Sequence, residues 1–170
     1  WSPPSWLRIE RAPAGKKMQE LLIAGEIDAQ ILSDSGSDAA AINRLVRRLW
    51  PNYREVEADY YRRTGIFPIR HLVVVKDEVL QHAPTVATHL VSAFEAAKQQ
   101  AYRYWADHRR SSLAWFGAEQ EEERALLGAD PWPYSIEKNR PALETLLDYA
   151  FEQGLTDRRL GINEIFAALE

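Results

Sequence analysis

The chain has 170 residues, is 46% hydrophobic and carries a net charge of −4, so a single domain with an ample core is expected and a polyanion-binding surface is not. It has no cysteine, which excludes disulfides and thiol catalysis but fits either redox compartment. No apolar run approaches the ~20 residues that a membrane span needs.

The first six residues, Trp1-Ser2-Pro3-Pro4-Ser5-Trp6, show neither an initiator Met nor a signal peptide. Leu7 to Glu10 alternates and predicts a short strand. Ala14 to Ala24 predicts a helix with Met18, Leu21 and Leu22 on one face and Gly25 as its stop. Ile27 to Leu32 predicts a second strand. This β-α-β order suits an open α/β sheet with the two strands as parallel neighbours. Ser33 to Asp38 reads as a small-polar loop, with Asp38 capping a helix over Ala39 to Leu49 that ends before Pro51. Tyr53 to Arg63 predicts another helix, stopped at Gly65.

The stretch Thr64-Gly65-Ile66-Phe67-Pro68-Ile69-Arg70-His71-Leu72-Val73-Val74-Val75 is the most informative. Its apolar end predicts a buried strand over Phe67 to Lys76. Polar groups at the end of such a strand often face a ligand crevice. Arg70 and His71 are therefore candidate site residues, a fixed cation beside a group suited to proton transfer. Residue type and spacing alone favour the plainer role of capping the strand.

Asp77 to His82 predicts a short helix, ended by Pro84. Thr85 opens a long helix reaching toward Arg110, with an apolar stripe of Val86, Leu90, Phe94, Ala97, Ala101 and Trp105. Leu113 to Leu127 reads as helical with a break near Gly117, and Glu119 to Glu123 as a solvated face, not a metal site. Ala129 to Tyr134 reads as a proline-stiffened loop presenting Trp132 and Tyr134, either to stack on a ligand ring or to latch the long helix. Ile136 to Gln153 predicts a helix stopped by Gly154, and Ile162 to Leu169 a last short one.

His82, His89 and His108 lack metal-ligand spacing; His89 is expected to pack on the long helix. There is no Gly-rich phosphate loop and no serine nucleophile elbow. Arg103, Arg109 and Arg110 lie among Tyr102, Tyr104 and Trp105, but the net charge argues against a nucleic-acid face.

Four segments taken together carry a resemblance: Leu21-Leu22-Ile23-Ala24-Gly25-Glu26-Ile27-Asp28-Ala29, Tyr60 to His71, Gly128-Ala129-Asp130-Pro131-Trp132-Pro133-Tyr134 and Glu152-Gln153-Gly154-Leu155-Thr156. In this order the chain resembles the 4,5-dihydroxyphthalate decarboxylase family from about Arg8 to Phe166. The resemblance implies a type II periplasmic-binding-protein-like α/β fold, related to the substrate-binding proteins of ABC transporters. Members of that family are longer, so the chain is expected to be the C-terminal half, helix-rich after residue 84. Residues 1–62 would complete lobe two, and 63–170 would return to lobe one.

The implied reaction releases protocatechuate and carbon dioxide from an aromatic dicarboxylate. Each carboxylate of 4,5-dihydroxyphthalate lies para to a hydroxyl, so the ring can take up charge as the bond breaks. His71 would donate the proton. Arg70, Thr64, Tyr61, Trp132, Tyr134 and Asn139 would bind substrate, Arg70 as a bidentate carboxylate partner. The alternative is a non-catalytic transporter binding protein for a small anionic or aromatic ligand. No cofactor and no metal are expected. The expected partner is that small ligand, with homo-oligomerisation open, and neither nucleic acid nor membrane insertion. The expected compartment is cytoplasmic, or periplasmic under the transporter alternative.

Overall fold

The computed structural model describes residues 4–31 and 45–169, and the chain divides into two compact units, Trp1–Glu57 and Ala58–Glu170. In the first unit, α1 spans Met18–Ile23. Its first turn is pinned where the Glu20 carboxylate accepts the Lys17 N–H at 3.1 Å. Its end is a double hydrogen-bonded turn: Gly25 N–H reaches Leu22 O at 3.1 Å and Glu26 N–H reaches Leu21 O at 2.8 Å. That turn needs φ of +71° at Gly25, a conformation costly for any residue with a Cβ. Leu21 is buried, and the exposed pair Lys16–Glu26 closes at 2.7 Å.

The expected strands of this unit are absent. Leu7 to Glu10 and the described part of Ile27 to Leu32 lie outside any strand, with Leu7, Ile9 and Ile31 exposed. Alternation marks which side chains share a face; a strand also needs a neighbour to take its backbone hydrogen bonds. The predicted loop Ser33 to Asp38 and most of the predicted helix Ala39 to Leu49 fall outside the described residues.

The unit boundary falls within α2 (Tyr53–Thr64). The second unit continues with α3 (Asp77–His82), α4 (Val86–Trp105), a 3-10 turn (His108–Arg110), α5 (Phe116–Leu127), α6 (Ile136–Glu152) and α7 (Ile162–Ile165). Helix α6 ends as α1 does, with Gly154 at φ +68° and Leu155 N–H on Ala150 O at 2.8 Å. Leu113 to Trp115 lie outside α5, which begins at Phe116, so the discontinuity expected near Gly117 is the helix start and Gly117 stands in its first turn. Among the described residues, the buried aliphatic residues of this unit are Leu143 and Ile162, a small core for so hydrophobic a chain.

The α/β fold class is overturned: the described residues form helices and no strand or sheet. The type II binding-protein architecture goes with it. The decisive segment is Phe67 to Lys76, which lies outside any helix or strand. Leu72, Val73 and Val74 are 52%, 64% and 91% exposed. The backbone groups of residues 67–75 make no hydrogen bond to another described residue. An apolar β-branched run has the propensity for a buried strand, but propensity is realised only against a paired neighbour.

Helix α4 also turns a different face inward. The expected stripe leaves Phe94, Ala97, Ala101 and Trp105 exposed. The covered face runs Val91, Glu95, Lys98 and Tyr102, at helical spacings of four, three and four. His89, expected to pack on this helix, is exposed.

Candidate functional site

Lys98 is the buried charged residue of α4, and it organises what lies around it. Its ammonium meets Asp130 at 2.9 Å and Glu95 at 2.8 Å, and donates to the Trp132 carbonyl at 3.0 Å. The Tyr102 hydroxyl donates to Asp130 Oδ1 at 3.1 Å. The Lys98 cation also lies 4.9 Å from the Tyr134 ring centroid. One lysine thus fixes the whole Asp130-Pro131-Trp132-Pro133-Tyr134 loop to α4.

Protonation follows from this packing. Burial alone would raise the Asp130 carboxyl, but the hydrogen bonds from Lys98 and Tyr102 outweigh it and hold the carboxyl below its usual range. Burial likewise opposes the Lys98 charge, yet Glu95 and Asp130 raise its affinity for the proton. Tyr102 is pushed up to about 12 by burial and by its bond to Asp130. A raised phenol pKa favours the neutral, folded form below the ordinary value of ~10, and that contribution is lost as pH rises through 12. We expect one tyrosine to ionise late in an ultraviolet titration of the phenolates, and Tyr102→Phe to remove that late component.

Beside the loop lies a cavity of about 180 Å3, lined by Tyr61, Gly65, Phe67, Leu127, Asp130, Pro131, Pro133, Lys138, Asn139 and Ala142. It brings together the end of α2, the start of the 65–76 segment, the proline loop and the first turns of α6. The Phe67 ring meets Trp132 edge-on at 4.8 Å, which joins two of these segments. Ser135 caps α6 by accepting the Lys138 N–H at 3.3 Å. Lys138 stands in the first turn of that helix, where a cation works against the helix dipole by ~0.3–1 kcal/mol. It forms no ion pair with another described residue. A cation placed against the dipole and facing a cavity is suited to holding an anion.

The structure separates the predicted site residues. Tyr61 and Asn139 line the cavity. The Asn139 amide is already engaged, donating to Pro133 O at 2.6 Å and Ser135 O at 2.9 Å, so it braces the loop. The Thr64 hydroxyl is committed to backbone, donating to Tyr60 O at 2.8 Å and accepting from Ile66 N at 3.1 Å. Trp132 and Tyr134 flank the cavity without lining it; their side chains pack on Phe67 and Phe94. Arg70 and His71 are exposed on the segment that leaves the cavity wall at Phe67. Sequence reasoning assigned no role to Lys138 or Asp130. The signal for Lys138 was present: a lysine three residues after a serine N-cap.

A larger open cleft of about 410 Å3 lies along α6, with Arg140, Asp148 and Arg159 in its lining. Its arginines are paired, Arg140 with Glu137 and Glu144, and Arg159 with Asp148. It offers no free cation and shares no motif with the smaller cavity. Among the described residues no helix is long and apolar enough to cross a membrane, and no cluster of three side chains is placed to hold a metal.

The second unit is therefore a helical body with a small anion-competent cavity at the start of α6. Among proteins of known activity, the chain is similar to 4,5-dihydroxyphthalate decarboxylase of Comamonas testosteroni, at 29% identity over 171 residues. The match covers 98% of this chain and 52% of that protein, so the chain spans about half the length of the curated relative. No family model matches the chain.

Proposed function

We propose that the chain carries a substrate site for decarboxylation of an aromatic dicarboxylate such as 4,5-dihydroxyphthalate, giving protocatechuate and carbon dioxide. The observation that carries this reading is the similarity to a decarboxylase of that substrate along 98% of the chain. The cavity supports it. Phe67, Pro131 and Pro133 offer apolar walls for one aromatic ring, and Lys138 offers a charge-assisted hydrogen bond to the carboxylate that is retained. Tyr61, in the cavity lining, would bond a phenolic oxygen. This reading moves the carboxylate-binding role from Arg70, which does not line the cavity, to Lys138.

His71 is the proton donor in this scheme; like Arg70 it does not line the cavity, so the segment beyond Phe67 must fold back over the bound ring to deliver the proton. The bond from the ring carbon to one carboxylate breaks, and that group leaves as carbon dioxide. The electron pair stays on the ring carbon and takes a proton from the imidazolium, which water replenishes. The hydroxyl para to that carbon enriches it in electron density, which favours its protonation.

The test adds 4,5-dihydroxyphthalate to the protein and follows protocatechuate and carbon dioxide together. Equal release of both is the expected result. Lys138→Ala should raise KM ~10- to 100-fold with kcat little changed, the cost of one lost charged hydrogen bond. Binding without release of either product, or no binding at all, overturns the reading.

A further inference from the structure

We propose that Lys98 is a positioning residue that sets the charge preference of the cavity: by neutralising Asp130 in the wall, it makes the cavity select an anionic ring over an uncharged one. The inference rests on the substrate site proposed above and deepens it. The cavity lining carries two charged side chains, the cation Lys138 and the carboxylate Asp130. Their charges cancel, so the lining by itself gives an aromatic dianion no advantage over a neutral ring. An uncompensated carboxylate in the wall would repel both carboxylates of the substrate.

Lys98 changes that balance from behind the wall. It does not line the cavity, yet its ammonium spans the Asp130 carboxylate, 2.9 Å from Oδ1 and 3.0 Å from Oδ2. Its side chain is 7% exposed, so water screens little of its charge. The ammonium also meets Glu95, but that carboxylate is 42% exposed and lies outside the lining, so its reach toward the cavity is damped. Both members of the central pair keep their charge. Burial opposes each, but the bonds from Glu95 and Asp130 raise the proton affinity of Lys98, and those from Lys98 and Tyr102 hold Asp130 below its usual range. With Asp130 answered by Lys98, Lys138 is the charge left uncancelled toward a ligand.

Equilibrium binding at neutral pH tests this, comparing phthalate, an aromatic dianion, with catechol, an uncharged ring, on the unmodified protein and three variants. Circular dichroism checks that each variant keeps its helices. The readout is the ratio of the two affinities, because a wall that has merely shifted serves both ligands alike. Lys98→Met should lower the ratio in favour of catechol about tenfold, the scale of one unit charge acting through partly screened protein. Asp130→Asn, which keeps Lys98, should move the ratio toward phthalate by a similar factor. Lys98→Met combined with Asp130→Asn should return it to within about threefold of the original, because one uncancelled cation again faces the ligand. If Lys98→Met alone loses its helices, the other two variants decide. A ratio that is the same in every folded variant, or that falls in Asp130→Asn, gives Lys98 a purely structural role and overturns the inference while leaving the substrate site in place. An unmodified protein that binds no phthalate overturns the substrate site, and this inference with it.

Discussion

Lys98→Met is expected to lower the unfolding free energy by ~2–3 kcal/mol and to free the loop from Ala129 to Tyr134. The side chain is buried and its ammonium serves two carboxylates and one carbonyl at once. Methionine fills much of the same volume, so the loss is mainly electrostatic rather than a cavity term. Glu95 is open enough to water to recover its solvation and contributes little to the loss. Asp130 is the costly partner. It is three-quarters covered and loses its cation, keeping the Tyr102 hydroxyl and the Trp132 backbone N–H, while the Trp132 carbonyl loses its donor. Urea unfolding at neutral pH measures the effect as a lower midpoint with the slope unchanged.

The pH dependence gives a second signature of the same pair. The folded Asp130 carboxyl lies below its ordinary value, because the hydrogen bonds from Lys98 and Tyr102 outweigh the burial that opposes them. A depressed carboxyl contributes stability that is present above the unfolded pKa of ~4 and is lost as pH falls through the folded value. The gap between the unmodified protein and Lys98→Met should therefore be widest near neutrality and narrow in acid. A gap that stays constant down the acid limb would show that Asp130 is not the partner whose charge matters.

His71→Ala is expected to reduce kcat by ~10²- to 10⁴-fold, the usual contribution of a positioned general acid. Binding of phthalate, which lacks the hydroxyls needed for reaction, should change by less than about threefold. The split follows from the place of His71 on the open segment beyond Phe67: it lies outside the cavity lining that is assigned to hold the ring. A loss that falls equally on binding and turnover would assign His71 to substrate binding. Turnover that survives the change would remove it from the mechanism and direct attention to Tyr61 and Lys138 in the cavity.

Part of the candidate site was legible in the residues themselves. The segments around Thr64 and Asp130 stood out by composition, and the cavity does lie where they meet. Within them, the individual assignments depended on contacts that no spacing reveals. Thr64 and Asn139 looked like ligand donors, yet both spend their hydrogen bonds on nearby backbone. Trp132 and Tyr134 looked like stacking platforms, yet their neighbours Pro131 and Pro133 form the wall. Lys98 drew no notice, since a lysine at a helical spacing is ordinarily a solvated one.

What the sequence determined by itself is the local grammar of the chain. The stops at Gly25 and Gly154 and the short helix Asp77–His82 follow from interactions within a few residues, so composition and order suffice to place them. Tertiary structure decided which faces are covered and which runs are paired. Leu72 to Val75 has the composition of an interior strand and lies bare, because pairing requires a partner that lies elsewhere in sequence. Helix α4 exposes its apolar stripe and buries Lys98 because Asp130, far along the chain, supplies the counter-charge that makes a buried ammonium tolerable.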